Sequence, residues 1–178
     1  HIGVPLRSRT WELTDTTAWT DNDAPATVSA VDTAFVGATA WDFEDTPSGT
    51  GPHKRLLSHQ VSLYYNDGLT AALAVGSLGA RALVYQSYAL AMTSGLLTDV
   101  FGTDVTTAIL TEAGYVDLDS DAAGGADGDA WIPSGRLSLD AAAFYQPSSH
   151  TDPWGNTTTL TWDDDDLVLT EVTDAVGN

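Results

Sequence analysis

The residues with the clearest capacity for chemistry are carboxylates that alternate along one polar segment, Asp117, Asp119 and Asp121. This spacing is typical of the start of a calcium-binding loop, where acidic side chains turn toward one ion. The sixth position of such a loop requires Gly and the twelfth requires Glu, but this sequence has Ala122 and Gly128 there. We therefore predict a solvated loop and assign no metal ligand to it.

A second acidic group is the run of four Asp residues at 163–166. Neighbouring carboxylates repel one another, which favours an exposed hairpin tip over a buried site. The histidines show no metal-ligand spacing: His1, His53, His59 and His150. We predict no metal site and no cofactor, and the sequence leaves open whether the loops 117–129 and 163–166 bind calcium.

A hydroxyl, an imidazole and a carboxylate also occur close together, at Ser148, Ser149, His150 and Asp152. A nucleophile, a base and an orienting acid are the parts of a hydrolase triad, but triads are assembled from distant segments of a chain. Residues this close along one strand or turn indicate local structure instead. We predict that the chain has no catalytic residue and is not an enzyme.

The composition sets the class of partner that this chain can have. The chain has twenty-five acidic residues and six basic ones, which gives a formal net charge of −19. Nucleic acids and anionic membranes carry the same sign, so we predict that the chain binds no nucleic acid and inserts into no membrane. The absence of Cys excludes a disulfide framework. The first residue is His1 rather than Met, and we expect the chain to be part of a larger protein.

The hydrophobic pattern along the chain predicts mainly β-structure. Alternating or β-forming residues indicate strands over 4–13, 57–65 and 82–92. The segments 14–30 and 45–53 lack helical periodicity and are rich in Thr, Asp, Pro or Gly, which predicts loops.

Two short helices are expected near 94–113. Thr93 can cap a helix over 94–101, and Gly102 suits the left-handed position that follows it. Asp104 can cap a second helix over 105–113.

The most informative feature is a turn motif, D-x-x-G-N, which occurs at 152–156 and again 22 residues later at 174–178. Asp accepts hydrogen bonds from the backbone that follows it, Pro presets φ, and Gly and Asn allow a positive φ. A repeat of this length indicates an array of similar structural units. The predicted turn residues are Asp152, Pro153, Gly155, Asn156, Asp174, Gly177 and Asn178.

The repeat divides the chain into two predicted parts. Residues 1–136 form a β-rich segment with short helices, and residues 137–178 begin the repeats. Strands are expected over 157–162 and 167–173, between the two turns. A single hairpin cannot bury a core, so it requires neighbouring strands on both sides.

The repeat resembles the RHS/YD-repeat family, because 152–163 and 173–178 follow the family pattern, with Trp162 where the family has Tyr. The part before the repeat is similar to B components of Tc insecticidal toxin complexes. That similarity lies in a series of short segments in the same order, among them 3–13, 54–57, 63–65, 67–70, 76–90, 96–102, 114–116 and 131–136.

The resemblance implies a hollow β-shell of spirally wound antiparallel strands, built from B and C components, which encloses a cytotoxic C-terminal segment. This chain would be a structural wall segment of that secreted shell, with no catalysis of its own. The implied partners are the remainder of the same shell chain, a C-type component carrying the toxin cargo, and a pore-forming A component. The alternative is a surface or carbohydrate-binding module of a YD-repeat adhesin.

Overall fold

The alternation of polar and apolar residues produces two mainly antiparallel sheets in the computed structural model, which describes residues 3–14, 26–46, 48–121 and 126–178. The first sheet contains β1 (Arg7–Thr14), β2 (Thr39–Trp41), β3 (His53–Tyr64), β4 (Val84–Met92) and β5 (Ala130–Pro133). The second sheet contains β6 (Arg136–Asp140), β7 (Gln146–Thr151), β8 (Thr157–Trp162) and β9 (Leu169–Thr173). The mainly β fold class expected from the sequence is confirmed.

The long strand β3 organises the first sheet. It pairs antiparallel with β1 and β4 and parallel with the short β2, while β5 pairs with β4. Val61 and Leu63 point from β3 into the core, where they pack with Trp131 of β5. These three side chains are buried because alternate residues of a strand face the same side of its sheet.

One residue of β3 departs from the expected alternation. The pattern places Leu57 on the buried face with Val61, but its side chain is 51% exposed. The register opposite β1 passes from Ser58 directly to Leu56, so Leu57 lies in a β-bulge. A bulge inserts one unpaired residue and thereby changes which side chains face the core.

The described residues contain three helical segments, one of which was not expected from the sequence. Helix α1 (Val28–Gly37) begins where the sequence predicts a loop over 14–30, which is wrong for 28–30, while 15–25 lie outside the described residues. Thr27 caps α1, since its hydroxyl accepts from the backbone N–H of Ala30 at 3.2 Å.

The two helices expected near 94–113 are present. Helix α2 (Ser94–Leu96) continues as a π-helical turn (Leu97–Phe101), and the Thr93 hydroxyl accepts from the Leu96 N–H at 3.1 Å as predicted. Helix α3 (Thr107–Glu112) is shorter than expected. The predicted cap at Asp104 is wrong, because the hydroxyl of Thr106 accepts from the Ile109 N–H instead.

The second sheet has its strands in chain order, from β6 to β9. In β8, Leu160 and Trp162 are half-buried on one face while Thr157, Thr159 and Thr161 are exposed on the other. The indole of Trp162 donates to the carbonyl oxygen of Pro147 at 2.9 Å, which ties β8 to β7. Among the described residues, no helix has the length and apolar character needed to cross a membrane.

Candidate functional site: repeat turns, sheet junction and acidic loops

The first D-x-x-G-N motif forms a closed turn between β7 and β8. One carboxylate oxygen of Asp152 accepts from the backbone N–H of Trp154 at 2.9 Å and of Asn156 at 2.8 Å. The other accepts from the side-chain amide of Asn156 at 2.8 Å. Gly155 takes φ +89°, a left-handed conformation that residues with a side chain rarely adopt. The motif therefore fixes the chain reversal with its own atoms.

The second motif reproduces this turn after β9. The carboxylate of Asp174 accepts from the backbone N–H of Val176 at 3.0 Å and of Asn178 at 2.9 Å, and from the Asn178 side chain at 3.1 Å. Gly177 has φ +87°. The second position is Ala175 here and Pro153 in the first turn, so the geometry does not depend on Pro.

The hydrogen bonds of both turns favour the charged form of the turn carboxylates and lower their pKa. The side-chain amide of Asn156 is the largest cause that lowers the pKa of Asp152 below its usual value. For Asp174 the largest cause is the backbone hydrogen bond from Asn178. Hydrogen bonds that favour the ionised form also make the turn depend on that form.

The acidic run 163–166 forms the turn between β8 and β9. The Asp163 carboxylate accepts from the backbone N–H of Leu167 at 2.7 Å and of Val168 at 3.0 Å. These bonds, with Val168 first, lower the pKa of Asp163. Asp166 has φ +56°, which Asp tolerates better than most residues. At least one of the four carboxylates thus holds the turn itself.

Among the described residues, three carboxylates come close together in the loop 117–129. Ligand atoms of Asp119, Asp121 and Asp127 lie within 4.8 Å of one another, while residues 122–125 are outside the described part of the chain. Asp127 accepts from the backbone N–H of Ser120 at 3.1 Å and from its hydroxyl at 2.5 Å. The carboxylate of Asp127 therefore stabilises the loop through hydrogen bonds to Ser120.

Two further carboxylates of this loop accept backbone hydrogen bonds, one from within the loop and one from α2. Asp117 accepts from the Gly128 N–H at 3.0 Å, and Asp129 accepts from the N–H of Ser94 at the start of α2 at 2.8 Å. Burial is the largest cause that raises the pKa of Asp129. The arrangement joins the loop to α2.

The residues considered for a hydrolase triad lie on β7 and in its turn. The hydroxyl of Ser148 donates to the carbonyl oxygen of Ser138 at 3.3 Å. His150 pairs with Leu137 and Thr158 in the sheet ladder. The Asp152 carboxylate is engaged by its own turn. Through these contacts the group takes part in strand pairing and chain reversal.

A cluster of Tyr and Arg side chains joins the two sheets. The buried hydroxyl of Tyr65 donates to the carbonyl oxygen of Leu137 in β6 at 2.7 Å. Arg136 donates from Nη1 to the Tyr85 hydroxyl at 2.5 Å, and its guanidinium lies 5.2 Å from that ring's centroid. The Tyr65 and Tyr85 rings meet edge to face at 4.9 Å. We call Tyr65, Tyr85, Arg136 and Leu137 the junction cluster.

Backbone contacts reinforce the junction where β5 leads into β6. Ser134 donates its backbone N–H to the Ser87 carbonyl at 2.7 Å and accepts the Ser87 N–H on its hydroxyl at 3.0 Å. A Cβ at Gly135 would lie 2.0 Å from Nε2 of the exposed His150, so a side chain at this position would require the imidazole ring to move. The junction cluster was not identified from the sequence, since its residues are far apart along the chain.

Strand β9 is the outer strand of the second sheet. It pairs with β8 through Leu169, Glu171, Val172 and Thr173, and it has no other strand partner among the described residues. Leu169 and Val172 are exposed on this strand. An edge with unpaired backbone groups and apolar side chains is a template for a further strand.

The comparisons with known proteins were informative only at the level of structure. No family model matches the chain, and no curated protein does. The chain is similar to a crystal structure of TcdB2-TccC3-Cdc42, with 23% identity and a TM-score of 0.56 over 75% of this chain and 6% of that chain.

Two further solved structures show the same similarity. A crystal structure of TcdB2-TccC3 is 22% identical with a TM-score of 0.54, and a Photorhabdus luminescens Tc holotoxin pore is 23% identical with a TM-score of 0.53. In each, 75% of this chain is covered, and the chain spans 6% of the length of its counterpart. The chain therefore has the fold of a segment found in Tc toxin complexes.

Proposed function

We propose that this chain is a wall segment of a secreted β-shell of the Tc type, which encloses a toxin cargo, and that it has no catalysis of its own. The observation that carries the proposal is the second turn. It repeats the hydrogen bonds of the first turn and follows the edge strand β9, so it directs the backbone back along β9.

The first turn shows how such a reversal of the chain leads to strand pairing. After 152–156 the chain returns as β8 and pairs with β7. By analogy, we propose that the equivalent turn at 174–178 leads into a further strand that pairs with the outer edge of β9. Repeated units that each supply an edge for the next can build a continuous wall, and no single unit has to bury a core alone.

The proposed partners follow from the same similarity. The remainder of a shell chain would pair with β9, a C-type component would complete the shell and carry the cargo, and a pore-forming A component would receive it. The names of the similar structures support this set, since they describe TcdB2 with TccC3 and a holotoxin pore. An extracellular location is part of this proposal.

The experiment extends the repeat by one unit. A second copy of residues 157–178 is appended after Asn178, and amide hydrogen exchange of β9 is measured in both chains. We expect exchange in β9 to slow by about tenfold, because the added strand pairs with its free edge. The control is the extended chain with Gly177→Val, which resists the positive φ that the turn requires.

Either outcome is decisive for the wall proposal. Slower exchange in the extended chain that Gly177→Val abolishes supports continuous strand addition through the turn. Unchanged exchange of β9 in the extended chain contradicts it, since the turn would then not deliver a pairing strand.

A binding module is the second candidate, and one observation favours it. The indole of Trp154 is 73% exposed and lies beside a groove lined also by Tyr115. Exposed aromatic rings in a groove are platforms on which sugar rings and proline rings can stack. Saturable binding of an oligosaccharide that Trp154→Ala abolishes would support the carbohydrate-binding alternative.

A further inference from the structure

A groove of about 270 Å³ lies where the end of α3, strand β5 and the first repeat turn meet. Its volume lies just below the range of about 300–1,000 Å³ that is usual for ligand pockets. The residues that line it are nearly all apolar, among them Gly114, Tyr115, Ile132, Pro133, Pro153 and Trp154.

Trp154 forms one wall of the groove and leaves most of its ring open to solvent. The indole Nε1 lies 3.4 Å from the position that a Cβ at Gly114 would occupy, so the missing side chain there admits the indole edge. Ile132 also lines the groove and is 49% exposed although it belongs to a paired strand. Two large apolar side chains thus face solvent at one groove, which marks a surface that other molecules can cover.

The donors and acceptors of the groove favour a peptide over a sugar. The side-chain polar groups among its lining residues are the Tyr115 hydroxyl and the Trp154 indole N–H. A sugar has many hydroxyl groups, and the lining residues offer only these two side-chain partners for them. A polyproline II segment exposes rings that stack on aromatic side chains and carbonyl oxygens that accept from an indole N–H.

The charged residues close to the groove in sequence are acidic apart from Arg136, which lies three residues after Pro133. Each lining segment has a carboxylate within three residues: Glu112 precedes Ala113, Asp117 follows Tyr115, Asp129 precedes Ile132, and Asp152 precedes Pro153. Consecutive Cα atoms are about 3.8 Å apart, so the Cα atom of each of these acids lies within about 11 Å of that of a lining residue.

The cations of the chain are engaged elsewhere. Each of the six Lys and Arg side chains donates to a group that does not line the groove. Those acceptors belong to Ser120, His59, Phe35, Asp45, Asp67 and Tyr85. A positively charged ligand is therefore complementary to this surface, and the net charge of −19 would increase its rate of association.

We propose that this groove binds an extended, proline-containing peptide segment with positive charge, and that Trp154 is its principal contact. The proposal is independent of the wall function, because the groove lies at the first turn and not at the free edge of β9.

The test uses the 178-residue chain and a synthetic peptide with a Pro-x-x-Pro core flanked by arginines, measured by isothermal titration calorimetry. We expect saturable binding that weakens as salt is added, because exposed charges are screened. Trp154→Ala should lower the affinity by about tenfold or more, as truncation of a central Trp does in other interfaces. Ile132→Thr, which keeps the β-branched shape, should lower it by a smaller factor.

The repeat supplies a matched control. Val176 occupies the position of Trp154 in the second turn and is 83% exposed, so Val176→Ala should leave the affinity unchanged. Thermal melting of each variant checks that it folds. Further controls are a peptide with Glu in place of Arg, a peptide with Ala in place of Pro, and a chito-oligosaccharide.

Several results would overturn the proposal. These are absence of saturable binding at the highest soluble peptide concentration, an affinity that Trp154→Ala leaves unchanged, or equal binding of the Glu or Ala peptide. Binding of the oligosaccharide without the peptide would also overturn it and would favour the carbohydrate-binding alternative. Selective binding of the proline–arginine peptide that depends on Trp154 would support it.

Discussion

At the scale of single residues, His59 has the most strongly shifted pKa among the side chains that the structure describes. It is 4% exposed in β3, its Nε2 accepts from Arg9 Nε at 3.1 Å, and its ring meets Trp131 edge to face at 5.0 Å. Burial is the first cause that lowers its pKa to about 4, followed by the charges of Arg9 and Arg7, while Asp127 acts in the opposite direction. The fold therefore requires the neutral imidazole.

This requirement predicts an acid-sensitive stability. The pKa of His59 is about 4 in the folded chain and about 6.5 when unfolded, so protons bind preferentially to the unfolded chain. The stabilisation is complete above about pH 6.5 and is lost as the pH falls toward 4, by up to about 1.4 kcal/mol per pH unit. Thermal melting between pH 7 and 4.5 measures it.

His59→Gln should flatten this dependence, because Gln does not titrate, while the exposed His150→Gln should retain it. The lowered pKa values of the turn carboxylates affect stability at more acidic pH, so the two effects separate. The same pH dependence in the wild-type chain and in His59→Gln would contradict the assignment to His59.

The repeat turns show the opposite relation between residue and fold. Asp152 and Asp174 bind only atoms within four residues of themselves, so a short stretch of sequence contains the whole interaction. For this reason the structure of both turns can be inferred from Asp, Gly and Asn spacing. The partners of His59 are about 50 to 70 residues away along the chain, so no local sequence pattern predicts them.

At the scale of elements, helix α1 depends on packing more than on its own sequence. Its segment contains Val, Thr and Phe, which have modest helix propensity, and the sequence indicated a loop over its first turn. Phe35 meets the ring of Trp11 edge to face at 5.7 Å. Lys54 Nζ donates to the Phe35 carbonyl at 3.0 Å and lies 4.4 Å from the Phe35 ring centroid.

These contacts predict that Lys54 stabilises the C-terminal end of α1. Lys54→Ala removes a cation from the last turn and from an aromatic ring, which costs about 1 kcal/mol. Amide hydrogen exchange in α1 should become about fivefold faster. Arg55→Ala is the matched control, since Arg55 donates to the Asp45 carbonyl and pairs with Glu12 instead. Equal effects of both variants on α1 would contradict this role for Lys54.

The start of α3 shows how closely related caps compete. Asp104 and Thr106 are both acceptable N-caps by residue type. The chain uses Thr106, which has extended backbone angles and accepts from Ile109, so the helix begins two residues later than predicted. Cap identity depends on where the incoming backbone stops being helical, and that is set by packing outside the helix.

At the scale of the whole molecule, the junction cluster holds one sheet against the other. Tyr65→Phe removes the hydroxyl that donates to the Leu137 carbonyl, at a cost of about 1 kcal/mol. We expect faster amide exchange in β6 and β7 with little change in β1. The measurement is hydrogen exchange resolved by strand.

Tyr64→Phe is the control for this variant. The Tyr64 hydroxyl donates to the Pro5 carbonyl at 2.5 Å, so its loss should affect the segment before β1 and leave β6 unchanged. If Tyr64→Phe loosened the second sheet as much as Tyr65→Phe, the junction cluster would not be the specific link between the sheets.

The sequence by itself determined the mainly β character, the approximate positions of the long strands, the Thr93 cap and the chemistry of the two repeat turns. These features depend on side-chain alternation and on hydrogen bonds between residues close in the chain. Only the tertiary structure decided the helix α1, the bulge at Leu57, the burial of His59, the junction cluster and the groove at Trp154. Each of these depends on residues from distant segments, which meet only when the sheets form and exclude water together.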